Sequence, residues 1–195
     1  MAGSGSLWAI DTCLAWEKHD PGELFEILIS DERCPLFGPL HHFLVGAAMV
    51  TCAGRLLKID ALEDALNEME KRASVVPGAV CAQWGMCGAA SSCGMAFAIL
   101  ANNAPLRAEG WSEGQLMVSD ILEKIAHAGA PRCCKRDSRI ALRTAIPWFN
   151  SYFGISLKNS LGAELTCNVS EKNTVCIKEL CPYYSGEQRH SRDPL

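Results

Sequence analysis

Three groups of cysteines carry most of the chemistry this chain could do. Cys81, Cys87 and Cys93 lie in "CAQWGMCGAASSCG". Cys133 and Cys134 are adjacent in "GAPRCCKRDS". Cys167, Cys176 and Cys181 lie in "CNVSEKNTVCIKELCP". Thiolate sulfur is a soft ligand for zinc and for iron–sulfur clusters, and it is also a nucleophile. Each group falls at a junction between expected helices, where irregular backbone lets side chains converge on a point. The remaining cysteines, Cys13, Cys34 and Cys52, read as small buried hydrophobes.

Spacing narrows the options. The third group is C-x8-C-x4-C followed by Pro182. Zinc ribbons and fingers use pairs separated by two to four residues, so this spacing does not match them. No C-x2-C occurs, which removes a thioredoxin-type motif. On a regular helix Cys176 and Cys181 would point roughly 140° apart, so at least one must sit on irregular backbone. Wide, unequal spacing of soft ligands suits an iron–sulfur cluster better than structural zinc.

Arg132, Lys135 and Arg136 crowd Cys133 and Cys134. Nearby positive charge favours thiolate, which makes one of the pair a candidate ligand or nucleophile. The same side chains are candidates for holding a substrate carboxylate. The blander alternative is a solvated basic loop with incidental cysteines. His41 and His42 open an expected core helix. One is a candidate proton carrier, and the alternative is a hydrogen-bonded structural histidine. Cys87 precedes Gly88 at an expected helix start, where the dipole stabilises a thiolate, whereas Cys93 lies deeper and should only fill space.

The elements that position these residues read as helices nearly throughout. No charged residue lies between Arg72 and Arg107, and that stretch opens a buried helix at "CGAASSCG". "DPGELFEILIS" predicts an amphipathic helix with Pro21 in its first turn, and "PLHHFLVGAAMVTCAGRLLK" a core helix. "DALEDALNEMEKRA" predicts a helix capped by Asp60, and "WSEGQLMVSDILEKIAHAG" one with a Ser112–Gln115 capping box and a stop at Gly129. "DSRIALRTAIPWFNSYFG" predicts a helix kinked or broken at Pro147. "LTCNV" is the best strand candidate. The fold expectation is one compact all-α domain over residues 35–183, with cysteine-bearing loops at helix junctions. A helical extension at 1–34 and a polar tail at 184–195 flank it.

The 195 residues carry a net charge of −4, with 49% hydrophobic and 21% charged residues. Nothing in that balance suggests a nucleic-acid partner. The uncharged stretch contains Gln83, Asn102, Asn103 and two prolines, which fits a buried segment better than a membrane span. The first residues show no basic region followed by an apolar core. With eleven cysteines and no export signal, a reducing cytoplasm is the expected compartment.

Taken together, "PLHHFLVGAAM", "CAQWGMCGAASSCG", "GAPRCCKRDS" and C-x8-C-x4-CP resemble the bacterial and archaeal family called domain of unknown function 5714. A second resemblance bears on mechanism. "CGAASSCGMAFAIL" and "LTCNVSEKNTVCIK" are similar to segments of iron–sulfur serine dehydratases and cysteine desulfidases. Those enzymes hold a 4Fe-4S cluster by three cysteines and leave one iron open to substrate. The resemblance implies Cys87 as the isolated ligand and Cys167 and Cys176 as the pair. The paired cysteines are farther apart here, and the chain is shorter.

The leading expectation is therefore a cluster-dependent lyase or desulfidase acting on a small carboxylate-bearing hydroxyl or thiol compound. Cys87, Cys133, Cys167, Cys176 and Cys181 are its candidate cofactor ligands. His41 or His42 is the candidate base, Cys134 a sulfur acceptor, and Arg132, Lys135 and Arg136 the carboxylate anchor. The alternatives are a non-catalytic cluster or metal carrier, with zinc as the other metal, and a metal-free thiol relay serving a sulfur donor or acceptor protein.

Overall fold

Local sequence explains where the helices begin and end. The computed structural model describes residues 6–162 and 165–186. Eight helices follow one another: α1 (Leu7–Ala15), α2 (Pro21–Ser30), α3 (Leu40–Leu57), α4 (Leu62–Ser74), α5 (Val80–Gln83), α6 (Gly88–Leu100), α7 (Trp111–His127) and α8 (Cys134–Phe153). A 3-10 turn at Lys178–Leu180 completes the secondary structure, and no strand occurs among the described residues. Asp20 caps α2 by accepting the Glu23 N–H at 3.0 Å, with Pro21 at the first helical position.

Four local expectations need correction. Asp60 does not cap α4; Ala61 holds that place without a side-chain bond. Ser112 lies inside α7, which starts instead after Gly110 at φ 77°, a left-handed turn open to glycine. A Cβ on Gly110 would also meet the Tyr152 hydroxyl at 2.5 Å. Of the kink or break expected at Pro147, the break does not occur, and α8 continues through it. A proline removes only one N–H from the ladder, and the packed face of a 20-residue helix compensates for it. "LTCNV" forms no strand, and no second strand occurs among the described residues to pair with it. The expected tail of residues 184–195 lies outside the described residues from position 187 onward.

Helix α3 is the axis of the molecule. It is buried from His41 to Gly54 and packs against α1, α2, α4, α6 and α8. By length and composition alone it could cross a membrane, but 78% of that window is buried inside the protein. Its closest partner is α6, and small residues set the approach. A Cβ on Gly46 would lie 2.3 Å from the Met69 methyl and 2.9 Å from Ser92 Oγ. The Ser92 hydroxyl in turn donates to the His42 carbonyl across the interface. Helices α1 and α2 also join this core through Trp8, Ile10, Leu24, Phe25 and Leu28. At the far end Phe97 of α6 meets Phe149, Tyr152 and Phe153 of α8, with ring centroids 4.8–5.6 Å apart.

Cys93 sits on α6 with no exposed surface, in the middle of the main core. Burial pushes its thiol far above the ordinary range. It fills space, as do Cys13 and Cys52. Cys93→Ala should cost about 1 kcal/mol in urea unfolding, without a change in the slope of the transition.

Candidate functional site

The start of α8 brings the cysteines together, and it does so on two sides. Cys133 is the residue before the first turn and Cys134 the first residue of the helix. Cys133 has extended backbone whereas Cys134 is already helical, and the two thiols face different cavities. Cys133 lines the first with Cys167, Cys176 and Cys181. Cys134 lines the second with Cys81, Cys87, His41 and His42. The expected single gathering of Cys87 with the three C-terminal cysteines is thus divided. Cys87 lies across α8 from them, held there because it is the cap residue of α6.

The first cavity is narrow. Its inner wall is α8, which contributes Lys135, Arg136 and Arg139. Its outer wall is the irregular segment from Cys167 to Tyr184. That segment is fixed by the Cys167 N–H, which donates to the Tyr183 carbonyl at 2.6 Å, and by a small cluster of Ile140, Cys181 and Tyr183. Asn173 Nδ2 lies 3.8 Å from Cys133 Sγ, and the Lys178 N–H lies 3.4 Å from Cys176 Sγ. Burial raises the Cys181 thiol, against the opposing pull of the Tyr183 backbone N–H and the Arg136 charge. Burial also raises Cys133, outweighing the N–H groups of Arg136 and Lys135. Among the described residues no three His, Cys, Asp or Glu side chains are disposed to hold a single metal ion.

The basic residues do not form a solvated loop. Lys135 and Arg136 are each 2% exposed and Arg139 is 1% exposed. Lys135 Nζ donates to the Ile29 carbonyl at 3.0 Å and approaches Cys34 Sγ at 3.9 Å. Arg136 pairs with Asp137 at 2.9 Å and donates to the carbonyls of Gly129 and Pro131. Arg139 makes a two-pronged pair with Glu26, both contacts at 2.7 Å. Lys135 and Arg136 are therefore tied up inside the protein rather than free to anchor a substrate, and of the three proposed anchors only Arg132 is exposed. Lys135 has no carboxylate partner among the described residues, and Arg136 Nη1 is buried with no partner.

In the second cavity the Arg132 guanidinium donates to Cys134 Sγ at 3.1 Å. His42 packs on the α6 backbone so closely that a Cβ on Gly88 would lie 2.2 Å from its ring. Cys87 is not held as a thiolate: burial pushes it up to about 11, against the opposing pull of the Ala89 N–H. This corrects the expectation from helix position alone, because a buried sulfur loses more from desolvation than the dipole returns. Burial, followed by the charge of Lys135, holds His41 down at about 4. Two contributors here were not singled out in the sequence: Asp137 and Ser138. Cys34, expected in the core, is half-buried with its sulfur 4.0 Å from His41 Nε2.

The depressed His41 makes acid a destabiliser. Unfolded, the ring takes its proton near pH 6.5; folded, only near about pH 4. The unfolded chain binds more protons in that window, so stability is complete above 6.5 and is lost as pH falls towards 4. Urea midpoints measured across this range should drop, and His41→Gln should flatten the decline.

The chain matches the family described as "Family of unknown function (DUF5714)" over residues 9–184. It belongs to that family. The DUF5714 match runs from within α1 to the end of the first cavity, so it includes every residue that lines both cavities. It also takes in most of the stretch expected as an N-terminal extension. No curated protein matches the chain. No solved structure matches it either. Neither comparison shows a relationship of this DUF5714 chain to iron–sulfur serine dehydratases or cysteine desulfidases.

Proposed function

We propose that this chain is an iron–sulfur protein whose cluster is held by Cys133, Cys167, Cys176 and Cys181. One observation carries this reading: four thiols from two distant parts of the sequence line one cavity beside three buried cations. The donor set fits the group. A cluster bound by four thiolates carries net negative charge, and among the described residues only two carboxylates, Glu26 and Asp137, offset Lys135, Arg136 and Arg139. The unpartnered Arg136 Nη1 is a ready donor to sulfur. Zinc would require all four sulfurs within about 2.3 Å of one point, whereas a cubane spreads its ligands over separate corners. Such a group supplies one-electron transfer, and the chain's part is to bind it, exclude water and balance its charge. The cysteines would ligate, Arg136, Lys135 and Arg139 would offset charge, and Asn173 would orient Cys133.

With four thiols around the cavity, an electron-transfer or carrier role fits better than an open-iron lyase. A second reading, a lyase or desulfidase acting on a small carboxylate compound, draws on one fact: the cavity with His41, His42 and Cys134 lies directly across α8. Iron and acid-labile sulfide analysis of anaerobically purified protein tests the proposal. A brown protein with iron and sulfide in equal amounts supports it. Stoichiometric zinc, or no metal after anaerobic reconstitution, refutes it. A spectral change on adding a small thiol or hydroxy acid would favour the lyase reading.

A further inference from the structure

Three helices begin at the second cavity. Gly38, His41 and His42 come from the start of α3, Cys87, Gly88 and Ala89 from the start of α6, and Cys134, Asp137 and Ser138 from the start of α8. These helices are 18, 13 and 20 residues long. Each carries about half a positive charge at that end, and its first N–H groups lack acceptors within the helix. Arg132 adds a full charge at the exposed rim. The one carboxylate on the wall, Asp137, is already engaged by Arg136 Nε at 2.9 Å and the Cys133 N–H at 3.3 Å.

Buried polar atoms on the same wall have no partner. Ser138 is fully buried, and its hydroxyl bonds to nothing. His41, 1% exposed, and His42, 8% exposed, both leave Nδ1 unpaired. Such groups are rare in folded proteins and call for an explanation. Positive helix ends, a guanidinium and unused donors on one wall are the chemistry that recognises negative charge.

We propose that this cavity binds a small anion, a carboxylate or an inorganic oxyanion, and presents it to the Cys134 thiol at its edge. The site is separate from the four-cysteine cavity and does not depend on a cluster being bound there. Cys134 is then the reactive sulfur, Arg132 and the helix starts fix the anionic end, and Ser138 and the neutral histidines complete the hydrogen bonding.

Iodoacetate and iodoacetamide test this, because they share a reactive carbon and differ in one charge. In both reactions Cys134 sulfur bonds to the CH2 carbon, iodide leaves with its electron pair, and the thiol proton passes to buffer. Peptide mass mapping reads the rate at each cysteine, with iron content measured on the same sample. The proposal expects Cys134 to react with iodoacetate about tenfold faster than with iodoacetamide, with a rate that saturates. Arg132→Gln and Ser138→Ala should each reduce that ratio. Competition by sulfate but not acetate would assign an oxyanion; competition by acetate would assign a carboxylate. Equal rates, a ratio unchanged in both variants, no competition by either anion, or no reaction at Cys134 would overturn the proposal whatever the iron content.

Discussion

On the four-cysteine proposal, Cys133→Ser, Cys167→Ser, Cys176→Ser and Cys181→Ser should each bind far less iron and sulfide than the wild-type chain. Each removes one of the four thiols that line the same cavity, and a serine hydroxyl is a poor substitute for a soft thiolate. Cys13→Ala and Cys52→Ala should keep full content, since both sulfurs lie in the main core. The decisive comparison is Cys87→Ser. Sequence resemblance implied Cys87 as a ligand, whereas the fold places it across α8. Full cofactor content in Cys87→Ser, alongside loss in Cys133→Ser, favours the four-cysteine seat. The opposite pattern would return the ligand set to Cys87, Cys167 and Cys176. Iron, sulfide and visible absorption per chain are the quantities to compare.

Glu26→Gln should be the most damaging single change away from the thiols. It strips the two-pronged partner from Arg139, whose guanidinium has almost no access to water. Removing one member of a buried pair leaves an uncompensated charge, which costs about 3–5 kcal/mol. Glu26 keeps some exposure, so the lower figure is the better expectation. The double variant Glu26→Gln, Arg139→Met removes both charges and should recover much of the loss. Urea unfolding checks both. A loss below about 1 kcal/mol for Glu26→Gln would mean that water or another group already serves Arg139.

The helices were legible because their signals are local. Asp20 with Pro21, the uncharged run around α6 and the largely apolar α3 each announce an element locally. The N-terminal starts of α4 and α7 were misread because Asp60 and Ser112 are good capping residues that tertiary packing passed over. The site was legible as residue types but not as partners. Cys133 and Cys134 stand side by side in sequence, and only the turn from extended to helical backbone between them decides which faces which cavity. The fate of the charges was hidden for the same reason. "KRDSR" looks like a solvated stretch until Glu26 and the Ile29 carbonyl, from α2, are brought against it. Desolvation of Cys87 was equally invisible, because it depends on what the fold packs around the start of α6 rather than on its sequence neighbours.

The divided origin of the first cavity also sets a timetable. Cys133 stands on a helix anchored in the main core, while the other three thiols come from the irregular segment that follows it. Chains are made from the amino end at about 5–20 residues per second. The thiol and three cations of the helical wall are therefore made before the facing wall. In the finished protein, residues 167–184 act as the clasp.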